Sequence, residues 1–349
     1  MSDNVSDEEQ QQQLQEISIC ADVWYEIFAF VSPVELGLLL ALISDRFDAL
    51  VDVHFKSRKW SLGRLHIHRA RRGKGAQIVN IRSGGRLPIP QGPLPNKVTG
   101  FEKIEISYVD QTVIKFLQRI RRLFDSSGTN VAFYTIDDET RRSWEIIWQK
   151  IWPLINDNIG RLTLDSAELD RLRQFSPTIL RGCAKLRLID SMKLLPEFPA
   201  EDNAAASSRQ AVAKWLLTAR EDGLPKMFSD HFHHSGKTLL RGIKGSFVNA
   251  SEPANFIMQI GDNDYFAPFD LKNNLTEERL TFRRLDELTW LLVRCPIVRE
   301  EAKWAAWEKE AIEWEEELEW NCINIEFEDS QIGDGMLDEN DEGPSEPKK

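Results

Sequence analysis

The feature that most constrains this chain is Ile19 to Phe55, ICADVWYEIFAFVSPVELGLLLALISDRFDALVDVHF. Its cap signals divide it into three short helices. The first is expected over Asp22 to Val31. Ser32 then stands as N-cap, with Pro33 at the first helical position and Glu35 three residues after the cap, a capping box with its favoured proline. The second helix is expected from Pro33 to about Ile43, and Ser44 caps a third from Asp45 to about His54. A unit of this size is too small for an independent core. Its apolar residues nevertheless cover more than one helix face, and Leu38, Leu39 and Leu40 are consecutive, so they cannot all point one way. Part of this surface must meet the rest of the chain or another protein.

At Asp22-Val23, Ile27-Phe28, Val31, Ser32-Pro33, Glu35-Leu36, Leu39-Leu40, Ile43 and Arg46-Phe47 the segment resembles the F-box. The resemblance runs from about Ile17 to Trp60. Ile19-Cys20 stands where the family has its opening Leu-Pro pair. The resemblance implies a three-helix unit docked on a Skp-type adaptor and, through it, on a cullin–RING ubiquitin ligase. It places Ile19, Cys20, Val23, Ile27, Phe28, Val31, Pro33, Leu36, Leu40 and Ile43 at or beneath the docking face. The competing reading is a non-catalytic scaffold in which a degenerate F-box serves as a structural cap.

The net charge of −12 is unevenly distributed. Residues 1–16, 298–320 and 326–349 together carry −18, which leaves +6 on the body. Acidic ends around a mildly basic body do not point to a nucleic-acid binder, which concentrates basic charge on one face. They suit a body that holds an acidic or phosphorylated partner. Cys20, Cys183, Cys295 and Cys322 lie far apart with no CxxC spacing, which reads as reduced thiols of a cytoplasmic or nuclear protein. No secretory signal or membrane span is expected.

Residues 1–16 read as a disordered acidic, Gln-rich tail. Residues 61–100 read as a basic strand followed by a Gly/Pro linker that marks the main domain boundary. Leu65 and Ile67 alternate with His66 and His68, which therefore share one side of that strand. Arg69, Arg71, Arg72 and Lys74 form a basic patch, read either as a solvated turn or as a site for an acidic ligand or nuclear import.

From residue 101 strands and helices alternate. Strands are expected at Lys103–Ser107, Val131–Ile136, Arg161–Asp165, Lys185–Asp190, Lys226–Phe232 and Ala254–Ile260. Their middles are separated by 28, 30, 24, 42 and 28 residues. Such units predict a parallel sheet, as an irregular leucine-rich-repeat-like arch or an ordinary doubly wound sheet. Hairpins follow at Tyr265–Lys272, Glu278–Leu285 and Trp290–Arg294. A long acidic helix is then expected from Val298 to Trp320, with Trp304, Trp307, Ala311, Trp314 and Leu318 on its inner face. Residues 321–349 read as an acidic disordered tail. The fold class is α+β in several parts, with the α/β domain over 101–320 holding the target protein.

Chemistry is suggested only weakly. Ser235-Gly236-Lys237-Thr238 ends like a phosphate-binding loop, but His231 stands where that loop needs glycine. His231, His233 and His234 have no spaced third ligand, so no metal site is read there. There is no nucleophile elbow, zinc-protease motif or dinucleotide fingerprint. The expectation is a binding protein without catalytic residues or a cofactor.

Overall fold

The computed structural model describes residues 19–28, 30–31, 33–55, 60–71, 75–94, 98–125, 128–134, 141–230, 236–261, 266–313 and 320–336. The N-terminal unit contains α1 (Ala21–Phe28), α2 (Pro33–Leu38), a 3-10 turn at Leu40–Leu42 and α3 (Asp45–His54). Ser44 caps α3 as expected, its hydroxyl accepting from the Phe47 amide at 3.4 Å. The expected capping residue of α2, Ser32, lies outside the described residues. Phe28, Leu36, Leu38, Ala41, Leu50, Val51 and Phe55 join one core that continues into the rest of the chain.

The expected basic strand is present, and strands also form within the stretch read as a Gly/Pro linker. β1 (Trp60–Ser61) pairs with β5 (Val98–Gly100). β2 (Arg64–Arg69), β3 (Ala76–Asn80) and β4 (Arg86–Pro88) form one end of a 13-stranded mixed sheet. Alternation explains this: Leu65, Ile67, Ile78 and Leu87 are buried while their strand neighbours are not.

The sheet continues through β6 (Lys103–Ile106), β7 (Thr129–Phe133), β8 (Ile159–Asp165), β9 (Leu188–Met192), β10 (Lys226–Asp230) and β11 (Phe256–Gly261). From β7 to β11 neighbours follow chain order and are parallel. Helices connect these strands: α4 (Gln111–Arg119) and α5 (Arg121–Asp125), α6 (Arg141–Ile146) running through a π-helical stretch into α7 (Trp152–Ile155), α8 (Ser166–Phe175) and α9 (Ile179–Gly182), α10 (Ser208–Leu217), and α11 (Gly236–Val248). Their starts are set by side chains. Asp110 accepts from the Thr112 and Val113 amides, and Asp165–Glu168 and Ser207–Gln210 form capping boxes. The edge beyond β11 is closed by antiparallel β14 (Thr289–Pro296), β13 (Glu278–Arg284) and β12 (Phe269–Asn273), as the hairpin pattern predicts.

Two expectations about the C-terminal region are corrected. The acidic helix α12 covers Glu301–Glu313; residues 314–319, including Trp314, and with them Leu318, lie outside the described residues. Residues 320–336 are not a disordered tail. β15 (Cys322–Ile325) inserts between β6 and β7, parallel to both. Ile323, Ile325 and Phe327 are fully buried there. Asn321, at φ +52°, makes the turn into the strand and accepts from the Phe101 amide at 3.3 Å.

Adjacent strand residues face opposite sides. Leu65, Ile104, Ile323, Val131, Leu162, Ile189, Phe228 and Met258 share the large core with α4 to α11. On the other side Leu188, Met227, Ile257, Leu291, Val293 and Cys295 form a second core under Trp304 and Ala311 of α12. Arg187 holds α12 there through both Glu310 oxygens, at 2.6 and 2.9 Å.

Candidate docking and recognition surfaces

In the N-terminal unit, Trp24 packs edge-on against Phe47 at 4.8 Å between ring centroids, so that side of α1 faces inward. Val23 and Ile27, one helical turn apart, lie on an outer side and are 47% and 39% exposed. Phe30, Leu39 and Ile43 are 91%, 37% and 62% exposed. Five large apolar side chains between residues 23 and 43 thus keep apolar area open to water, and covering it is favourable by roughly 25 cal/mol per Å².

The residues assigned by the family resemblance separate accordingly. Cys20, Val23, Ile27 and Ile43 are exposed, and Ile19, Val31 and Leu40 are half-buried. Phe28 and Leu36 are each only 1% exposed and belong to the interior. The Pro33 side chain lies outside the described residues. Phe30 was missed, because sequence spacing alone does not show that the end of α1 leaves it in solvent. Arg46 donates to the Ile19 carbonyl at 2.6 Å and fastens the start of the unit to α3.

The second surface is the side of the sheet opposite α4 to α11. Matching positions on successive parallel strands carry His66, Glu105, Asn324, Ala132, Thr163, Asp190, Ser229 and Gln259. This polar row crosses the sheet beside the strip covered by α12. Arg161 donates to Asp190 at 2.7 Å, and the Thr163 hydroxyl donates to the same carboxylate oxygen at 3.3 Å. Burial lowers the Arg161 pKa, and the neighbouring Asp190 charge opposes that shift. Tyr134, just past the end of β7, is exposed; partial burial raises its phenol pKa, while Lys103 and Arg161 pull it down. The Cys322 thiol is likewise raised by burial, against a hydrogen bond from Asn130 and the charges of Arg161, Lys103 and Arg64. A protonated thiol is a poor nucleophile, so Cys322 is not an activated one.

His66, Glu105 and Glu326 bring one donor atom each within 4.8 Å of one another, a set able to hold a metal ion. Their present partners are internal. His66 Nε2 lies 2.6 Å from the Ser107 hydroxyl, and Glu105 accepts from Lys103 at 2.7 Å. Glu326 comes from the C-terminal segment read from the sequence as tail, so sequence spacing did not suggest the set. His66 and His68 do share a side, with ring centroids 5.2 Å apart.

Of the basic patch, Arg69 and Arg71 fall within the described residues. Arg69 lies over the Tyr108 ring at 5.0 Å and donates to the Ser330 carbonyl at 3.1 Å. Arg71 is exposed, and Arg72 and Lys74 lie outside the described residues, as do His231, His233, His234 and Ser235. All four cysteines are free thiols. No helix among the described residues is long and apolar enough to cross a membrane.

No family model matches the chain, and no curated protein matches it.

Proposed function

We propose that this chain is the substrate-recognition subunit of a Skp–cullin–F-box ubiquitin ligase, acting in the cytoplasm or nucleus. Residues 17–60 serve as the F-box. The α/β body serves as an irregular, leucine-rich-repeat-like arm that holds the target. The observation that carries this reading is the exposure of Val23, Ile27, Phe30, Leu39 and Ile43 on a unit whose Phe28, Leu36, Leu38, Leu50 and Val51 are already packed. Such a surface is the mark of a protein interface. Cores made by Phe28, Leu36 and Leu38 join the unit to the arm, so a docked adaptor and a bound target would be held in one assembly. The chain would contribute proximity and no chemistry of its own: a target held beside a charged ubiquitin-conjugating enzyme reacts at a raised effective concentration. The half-buried members of the row, His66, Glu105, Asn324, Thr163 and Gln259, supply hydrogen-bonding groups for the target.

The test is co-expression of the full chain with a Skp-type adaptor, followed by size-exclusion chromatography. One stoichiometric peak is expected, and Ile27→Asp with Ile43→Asp should split it into two. Separate peaks for the unaltered, folded chain would refute adaptor docking and leave the scaffold reading.

A further inference from the structure

Away from both surfaces, α9, the residues leading into β9, α10 and the start of β10 enclose a cavity of about 390 Å³. Leu180, Ala211 and Trp215 give it apolar walls, and Lys226 lines its depth. Lys226 is 6% exposed. Its ammonium lies 4.9 Å from the centroid of the Trp215 ring and donates to the Trp215 carbonyl.

The other charges of this cavity are largely matched. Arg181 pairs with Asp202 and Arg220 with Asp222, each at 2.6 Å, and Lys185 donates to Asn158. Lys214 and Glu221 complete the charged lining. Among the described residues no carboxylate pairs with Lys226, and the Trp215 carbonyl is its one hydrogen-bond acceptor. An ammonium has three donors. A buried cation without a counter-charge is costly unless something supplies one, and this one borders a space large enough for a small molecule.

We propose that this cavity binds a small organic oxyanion, a phosphate or carboxylate on a compact apolar body, with the anionic head on Lys226 and the body against Trp215, Leu180 and Ala211. The reading does not depend on adaptor docking. Burial and the nearby Arg220 charge lower the Lys226 pKa to about 7. An anion favours the charged ammonium, so ligand entry should draw a proton onto Lys226 wherever the empty site is mostly neutral.

The experiment is isothermal titration calorimetry of the full chain with phenyl phosphate, benzoate, inorganic phosphate and benzyl alcohol. Phenyl phosphate or benzoate is expected to bind at least about tenfold more tightly than benzyl alcohol or inorganic phosphate. Repeating the titration near pH 8 in two buffers of different ionisation enthalpy should reveal net proton uptake. Lys226→Met should weaken the organic anion at least about tenfold. Should Lys226→Met fail to fold, Thr218→Trp, which fills the cavity mouth, and the buffer comparison on the unaltered chain still decide. Benzyl alcohol binding as tightly as the anions would overturn the proposal. So would equal binding by inorganic phosphate, absence of proton uptake, or undiminished binding by a folded Lys226→Met chain.

Discussion

Arg161 and Asp190 stand side by side on neighbouring parallel strands, Nη2 to Oδ2 at 2.7 Å, on the side of the sheet away from most of its helices. Both residues are buried. Removing one partner takes away the nearest opposite charge of the other, and breaking a buried pair in this way costs about 3–5 kcal/mol. Asp190→Ala should therefore lower unfolding stability by that order in urea titration. The double variant Arg161→Met with Asp190→Leu should recover most of it, since a matched apolar pair leaves no orphaned charge. Equal losses from the single and the double variant would show that the pair acts otherwise.

The insertion of β15 makes a sharper prediction. Ile323 sits opposite Ile104 on one side and Val131 on the other, fully buried. Ile323→Ala should cost about 2–5 kcal/mol, the usual range for truncating a core aliphatic residue. Asn324, next along the strand, points to the polar row, and Asn324→Ala should change the unfolding midpoint by less than half as much. Guanidinium denaturation of the two variants checks this. Similar losses at both positions would contradict the assigned facing of the strand.

These residues also show how far the sequence could be read. The units from Lys103 to Ile260 were legible because each strand alternates or runs apolar and several helices carry their own cap, as at Asp110, Asp165 and Ser207. The C-terminal strand was not. Glu326, Glu328 and Asp329 dominate its surroundings, and its pairing partners lie about two hundred residues earlier in the chain. The alternation Ile323, Ile325, Phe327 was the available signal, outweighed by charge. The strand at Arg64–Arg69 was legible from its alternation, but the strands after it were not, because Gly and Pro dominate the local composition there. In the N-terminal unit, helical period alone did not separate Phe28 from Ile27. Which of two adjacent apolar residues is covered depends on where α3 lies, a tertiary fact. Lys226 gave no signal at all, since burial of its side chain arises from α10 and the chain entering β10.

The same distinction governs substitutions in the N-terminal unit. Leu36 is buried in the shared core, whereas Ile43 is largely open to solvent. Leu36→Asp places an unpaired carboxylate in that core and should lower the thermal midpoint by several degrees or unfold the unit. Ile43→Asp should move the midpoint only slightly, because exposed changes usually stay within about 0.5 kcal/mol. Circular dichroism on both variants separates the cases. Only Ile43→Asp, if folded, is then informative about adaptor binding. A large loss of stability at Ile43 would mean that its exposed position misstates its packing.

Lys226 ties the chain's stability to pH in a definite direction. Its pKa in the folded chain is about 7, pushed down first by burial and then by Arg220, against about 10.4 for a free lysine. Lys214, Lys185 and Arg181 add positive charge around the cavity; Asp202 and Asp222 are engaged by Arg181 and Arg220, and Glu221 lies on the lining. Between about pH 7 and 10 the unfolded chain holds a proton that the folded chain has released, so this group's contribution makes stability rise with pH across that window. Below pH 7 both states are charged, and the slope from this residue vanishes. Lys226→Met removes the cost of charging a buried amine, so it should stabilise the chain more at pH 7 than at pH 9.5. Urea unfolding of both proteins at the two pH values measures the difference directly. A variant whose gain is the same at both would place the Lys226 amine in ordinary contact with water.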